Sequence, residues 1–136
     1  MDVLVAESER AGLRLVRRLV DEWNDGSNRF DRPGEALFGA RLDGRLVGVC
    51  GLNVDLYAGD ARVGRVRHLY VLDASRRLGV ARALMADVFT AARGRFDTLR
   101  LSTRNPAAAR LYESLGFRSI TAGDCTHVMA LAPGER

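Results

Sequence analysis

Arg76, Arg77 and Arg82 crowd one short stretch of the chain, around residues with little or no side chain at Gly79 and Ala81. Guanidinium groups make paired hydrogen bonds to phosphate or carboxylate oxygens, and small neighbours let such an anion lie against the backbone. If a helix starts at Gly79, its free first-turn N–H groups and the positive end of its dipole face the same ligand. The chemistry is anion capture. A second reading stands beside it, a helix with a glycine near its start and solvated arginines. The phosphate-loop patterns are only partly met, since neither GxxxxGK[ST] nor a complete GxGxxG after a strand is present.

The elements around this stretch are well marked. VRHLYVLD, from Val66 to Asp73, is an apolar strand, and ASRRLG is a short polar turn. Beyond it, Val80, Ala81, Leu84, Met85, Val88, Phe89 and Ala92 recur at the i, i+3, i+4 spacing of a helix with one buried face, ending at Gly94. A second helix opens at Asn105, a good N-cap, with Pro106 in the first helical position and Gly116 at the end. Ala108, Leu111, Tyr112 and Leu115 share one of its faces, and Ala107 to Ala109 keep its early turns slim. Read alone, Tyr112 is a core aromatic with a satisfied hydroxyl.

RRLGVA (Arg76 to Ala81) resembles the R/Q-x-x-G-x-G/A signature of the GNAT superfamily of N-acetyltransferases, with Ala81 at its last position. LYV (Leu69 to Val71) upstream and NPAAARLYESLGF (Asn105 to Phe117) downstream resemble the family's other two landmarks, in order and spacing. The resemblance implies a mixed α/β sheet, mostly antiparallel, with one central parallel strand pair splayed to admit the cofactor and helices on both faces. It implies transfer of an acetyl group from acetyl-CoA to a primary amine of a small molecule or peptide by direct attack, with no metal. Arg76, Arg77, Leu78, Gly79, Val80, Ala81 and Arg82 would bind the pyrophosphate. The backbone at Leu69, Tyr70 and Val71, where the family's strand carries a bulge, would bind pantetheine and polarise the thioester carbonyl. Asn105 and Ala108 would meet the cofactor, and Tyr112 would protonate the departing thiolate as general acid.

The chain departs from the family in one respect. Many members carry a Glu base on the fourth or fifth strand, whereas the nearby residues here are Arg65, Arg67, His68 and Arg100. His68, with an ordinary pKa of about 6.5, is the remaining titratable group, either as general base or as a packed histidine bonded to a carbonyl. The missing carboxylate leaves a non-catalytic acyl-CoA-binding or sensing module as the alternative function. The acceptor pocket would draw on Trp23, Phe30 and His127, with structural roles for Trp23 and Phe30 as the competing reading.

The remaining chain is consistent with one domain over residues 1–131 and a loose tail at 132–136. DVLVA at residues 2–6 reads as a strand. A helix follows, carrying Leu13, Val16, Leu19, Val20 and Trp23, and residues 21–36 break regular structure with Gly, Asn, Asp and Pro. Asp43-Gly44 between two apolar runs marks a tight type I′ hairpin, and a third strand from Arg62 to Leu72 completes a meander. TLRLST (Thr98 to Thr103) is then a strand reached by a helical crossover, hence parallel to the one before. All 21 basic side chains are Arg, against 17 acidic ones, and they are spread along the chain rather than clustered, so a nucleic-acid partner is not expected. No apolar run spans a bilayer and no secretory signal opens the chain, which points to a cytoplasmic protein without a membrane partner. Cys50 and Cys125 lack C-x-x-C spacing and read as free thiols. Homodimer formation is common in the resembled family and is carried as a possibility here.

Overall fold

The computed structural model describes residues 1–131 of the chain; the tail expected at 132–136 lies outside the described residues. Two helices, α1 (Asp2–Arg10) and α2 (Leu15–Asp25), precede three strands, β1 (Ala36–Leu42), β2 (Arg45–Val54) and β3 (Val63–Val71). After a single 3-10 turn at Asp73–Ser75 come α3 (Val80–Ala92), β4 (Thr98–Leu101), α4 (Pro106–Ser114), β5 (Arg118–Ser119) and β6 (His127–Ala130). The sheet order is β1-β2-β3-β4-β6-β5. Every neighbouring pair is antiparallel except β3 and β4.

The meander expected from the turn residues is present. Asp43 and Gly44 both take positive φ, 51° and 78°, as a type I′ turn requires at its two central positions. The α3 crossover makes β4 parallel to β3, with Val63, Gly64 and Arg65 opposite Thr98, Leu99 and Arg100. That pairing stops at Arg65 and Arg100, while β3 runs on to Val71. The two central strands therefore fork, which is the splay that the resemblance implied.

Each face of the sheet carries its own apolar cluster. Leu84, Met85 and Val88 of α3 and Tyr112 of α4 pack against Cys50, Leu52, Val66, Leu99 and Leu101. On the other face Leu4, Val5, Val16 and Leu19 of α1 and α2 pack against Phe30, Val49 and Tyr70.

The expected strand at residues 2–6 is instead the first half of α1. Its apolar run is too short for periodicity to separate the two states. Tertiary contact decides: Leu4, Val5 and Ser8, which share a helical face, are buried while Val3 is exposed. Inside α1 the Ser8 hydroxyl donates to the Val5 carbonyl. α2 begins at Leu15, so Leu13 lies before it. β4 ends at Leu101 rather than Thr103.

Candidate active site

The amino end of α3 is built to leave donors free. Arg77 and Gly79 both take left-handed backbone, φ 69° and 80°, so the chain turns sharply into the helix. No side chain caps it, and the first amide to bond is that of Ala83, to the Gly79 carbonyl. The N–H groups of Val80, Ala81 and Arg82 have no acceptor among the described residues. A Cβ at Gly79 would meet nothing within 4 Å, so the space before the helix is open. Such alternation of left- and right-handed residues before free amides is an anion-binding concavity.

The three arginines are used unequally. Arg76 folds back, its Nε donating to the Val71 carbonyl at 3.0 Å and its guanidinium lying 5.4 Å from the Tyr70 ring centre. Arg82 donates to Ser114 Oγ at 2.9 Å and so ties α3 to α4. Arg77 has no side-chain partner among the described residues and, like Leu78, is exposed beside the concavity.

Beyond Arg65 the β4-side edge of β3 is unpaired. Between Val49–Tyr70 and Gly51–Arg67 the register slips by one residue, because β3 carries an extra residue there. His68 sits in that bulge with φ 62°. The extra residue turns Arg67 and His68 together toward α2. Phe30, itself at φ 55°, backs the bulge: its ring meets that of His68 edge-on at 6.3 Å between centres. Gly51 makes room for this, since a Cβ there would lie 2.6 Å from Phe30 Cε1 and 3.2 Å from the Arg67 carbonyl oxygen. His68 is 9% exposed, and its Nε2 has no hydrogen-bond partner among the described residues. Burial, with help from the Arg67 charge, pulls its pKa down from 6.5 to about 4. The ring is neutral at pH 7. Leu69 is half-buried on the α3 side, and the Tyr70 hydroxyl donates to Glu7 Oε2 at 2.5 Å on the opposite side. The backbone of Leu69 to Val71 is the part of this strand left for a ligand, less the Val71 carbonyl held by Arg76.

α4 closes the fork from the α3 side. The Asn105 Oδ1 caps it by accepting from the amides of Ala107 and Ala108, at 2.8 and 3.3 Å, which leaves the Asn105 side-chain NH2 unassigned. Tyr112 packs edge-on to Phe117 at 5.7 Å and stands 6.4 Å from the His127 ring. Burial, then the neighbouring Cys50, pushes the Tyr112 pKa well above 10, so its proton is retained. Cys50 belongs to β2 and His127 to β6, the strands flanking the central pair, so Tyr112 lies across the fork. Its hydroxyl makes no hydrogen bond to a described residue and is not sealed from solvent.

The α2 side of the fork is lined by ion pairs. Asp55, 1% exposed, receives Arg65 at 3.1 Å and Arg100 at 3.5 Å on Oδ2, and the amides of Tyr57 and Ala58 on Oδ1. Arg100 also pairs with Asp124, whose carboxyl it holds below the usual range. Closer to His68, Glu22 of α2 faces Arg67 at 3.5 Å and accepts from Arg18 Nε at 3.2 Å. A groove of about 330 Å3 opens beyond β4, lined by Ser102, Thr103, Arg104, Gly123, Cys125 and Thr126. Another, about 390 Å3, lies at the far end of the sheet around Arg62, Arg95 and Phe96, away from these groups.

The three residues expected in the acceptor pocket separate. Phe30 is buried against His68, and Trp23 is 44% exposed at the end of α2. His127 opposes Leu101 in the β4–β6 ladder and points to α4, with Nε2 2.8 Å from Glu113 Oε2 and Nδ1 2.8 Å from Thr126 Oγ1. Glu22 and Asp55 went unnoticed in the sequence. The signal for Glu22 was present, since helical spacing puts it in line with Leu15 and Leu19, a carboxylate on an otherwise apolar stripe. Nothing local marks Asp55.

Comparison with known proteins follows the same lines. The sequence model of the acetyltransferase (GNAT) family matches residues 3–117. N-alpha-acetyltransferase RimI of Mycobacterium tuberculosis is 35% identical over 95 residues, 65% of this chain and 55% of that protein; the chain thus spans about half the length of this relative. A crystal structure from Exiguobacterium sp. 255-15, assigned as an acetyltransferase, superposes with a TM-score of 0.84 at 31% identity, covering 93% of this chain and 82% of that one. N-acetylglutamate synthase from Neisseria gonorrhoeae, solved with coenzyme A and L-arginine, shares the fold at TM-score 0.61 and 19% identity, over 70% of this chain and 24% of that one.

Proposed function

Because the chain belongs to the acetyltransferase (GNAT) family, we propose that it moves an acetyl group from acetyl-CoA to a primary amine. The observation that carries this reading is the fork. The β3–β4 pairing ends at Arg65 and Arg100, which leaves Val66 to Val71 of β3 unpaired on that edge, and both α3, with its unfilled first-turn amides, and Tyr112 of α4 pack on one face of the same sheet.

The residues present fit the cofactor. Val80, Ala81 and Arg82 offer three backbone N–H groups and Arg77 a free guanidinium for the pyrophosphate, while Gly79 leaves the approach clear. The backbone of Leu69 to Val71 and the Asn105 amide suit the pantetheine arm, with the small Ala108 behind. Acetyl-CoA supplies an acetyl group already activated as a thioester. Tyr112, held protonated by burial, gives its phenolic proton to the leaving sulfur. Neutral His68 presents Nε2 as a hydrogen-bond acceptor on the side from which an amine comes. The resemblance to an N-alpha-acetyltransferase favours peptide N-termini as acceptors. Cys50 and Cys125, both free and buried, suit a cytoplasmic setting. A sensing module is the second reading, favoured by one observation: neither β3 nor β4 carries an Asp or Glu.

Calorimetric titration of acetyl-CoA tests the reading. Binding in the micromolar range, lost in Gly79→Glu while that variant keeps a native circular dichroism spectrum, is the expected result. No binding by folded wild type would overturn it. Binding without transfer to any of a panel of amines and free N-terminal peptides would leave the sensing module.

A further inference from the structure

Tyr112 is the one buried side chain of the nine-residue helix α4. A short helix resting on a single buried side chain owes its tilt and rotation to its other ties. Among the described residues two side-chain hydrogen bonds join α4 to other elements, and both come from the residues directly after Tyr112. Ser114 Oγ accepts from Arg82 Nη2 of α3 at 2.9 Å, and Glu113 Oε2 lies 2.8 Å from His127 Nε2 of β6. The two reach opposite arms of the fork. α3 packs on β1, β2 and β3, whereas β6 pairs with β4.

On the β4 arm His127 is the fixed point. It opposes Leu101 in the ladder and is 4% exposed. Its Nδ1 lies 2.8 Å from Thr126 Oγ1, which in turn accepts from the Thr103 amide at 3.1 Å. A carboxylate only accepts, so Nε2 carries the proton of the Glu113 bond. With both nitrogens engaged, the ring cannot turn without breaking a bond. The same ring stands 6.4 Å from that of Tyr112.

We propose that Glu113 and His127 form a clamp that positions Tyr112: the bond between them sets how α4 lies across the fork, and so where the phenol meets the leaving sulfur. This rests on the transferase reading with Tyr112 as its acid. Proton transfer asks for a donor within about 2.6–3.2 Å of its target, and a misplacement of about 1 Å can cost about 100-fold. Neither member of the clamp touches the reacting atoms. Both are positioning residues, and they act through Tyr112.

Four variants of the full chain test this with acetyl-CoA and a panel of small primary amines and free N-terminal peptides: Glu113→Ala, Glu113→Gln, Tyr112→Phe, and Tyr112→Phe combined with Glu113→Ala. Glu113 is half-exposed and Ala is a good helix former, so the fold should survive. In Glu113→Ala kcat should fall about ten-fold, while acetyl-CoA affinity by calorimetry stays within about two-fold. Glu113→Gln keeps an oxygen that accepts from His127 and should run within about two-fold of wild type. Once Tyr112 is Phe, Glu113→Ala should cost nothing further, because no proton donor is left to position. A tie that only supports the fold predicts the same loss in both backgrounds. That result overturns the clamp, as does Glu113→Ala at the wild-type kcat or Glu113→Gln as slow as Glu113→Ala. Should Glu113→Ala fail to fold, His127→Asn decides: it keeps an acceptor for Thr126 but cannot reach Glu113, so it should reproduce the kcat loss, and a wild-type kcat would overturn the clamp. Tyr112→Phe at the wild-type rate would instead sink the reading of Tyr112 as the acid, and wild type that acetylates no amine would sink the transferase reading. Either takes this inference with it.

Discussion

Tyr112 and His68 are both buried aromatic groups with displaced pKa values, and the direction of each displacement sets which form it holds. Burial keeps Tyr112 protonated, ready to donate, so Tyr112→Phe should lower turnover about 100-fold with acetyl-CoA affinity nearly unchanged, measured by steady-state kinetics and calorimetry. Burial keeps His68 unprotonated. In the unfolded chain His68 binds a proton below about 6.5, but in the folded protein only below about 4. Between these values unfolding takes up a proton, so the folded state is favoured fully above pH 6.5 and loses ground as pH falls toward 4, by up to about 3 kcal/mol. Urea unfolding at a series of pH values should show that slope, and His68→Gln should reduce it. Tyr112 could be singled out as a candidate because it sits seven residues after an N-cap Asn inside a recognisable motif. Glu22 could not, because its ion pair with Arg67 depends on a strand bulge some forty-five residues downstream.

Helix α4 was the most legible element, since cap, first-turn proline and terminal glycine are all local signals. Asn105→Ala removes an acceptor for two amides and should cost about 1 kcal/mol, visible as a lower melting temperature. The N-terminal helix was illegible for the opposite reason: DVLVA is stiff and apolar, and only packing of Leu4 and Val5 against α2 and the sheet selects helix. The bulge in β3 falls between these cases. Family resemblance pointed to it, but the residue that permits it lies on β2. Gly51→Ala would drive a methyl into the Phe30 ring, and overpacking of this kind costs about 1–3 kcal/mol. Chemical denaturation of that variant, with the His68 titration followed by NMR, would show both the loss and a loosened ring.

At the scale of the whole sheet, the order of strands followed from turn residues and from the helical crossover, whereas the place where the central pair stops did not. That place is fixed by side chains distant in sequence. Asp55 from the end of β2 meets Arg65 and Arg100, the last residues paired across β3 and β4. Removing one member of a buried ion pair leaves uncompensated charge, so Asp55→Ala should destabilise the protein by about 3–5 kcal/mol, read from the urea midpoint. The same knot has a mechanical meaning. It locks the closed end of the fork, and among the described residues no backbone bond ties β3 to β4 at the open end, so the two arms can part like a clothes peg without breaking a ladder bond. Deuterium should accordingly enter the outward amides of Val66 to Val71 far sooner than those of Val63 to Arg65, and a ligand wedged between the arms would need to push against side chains alone.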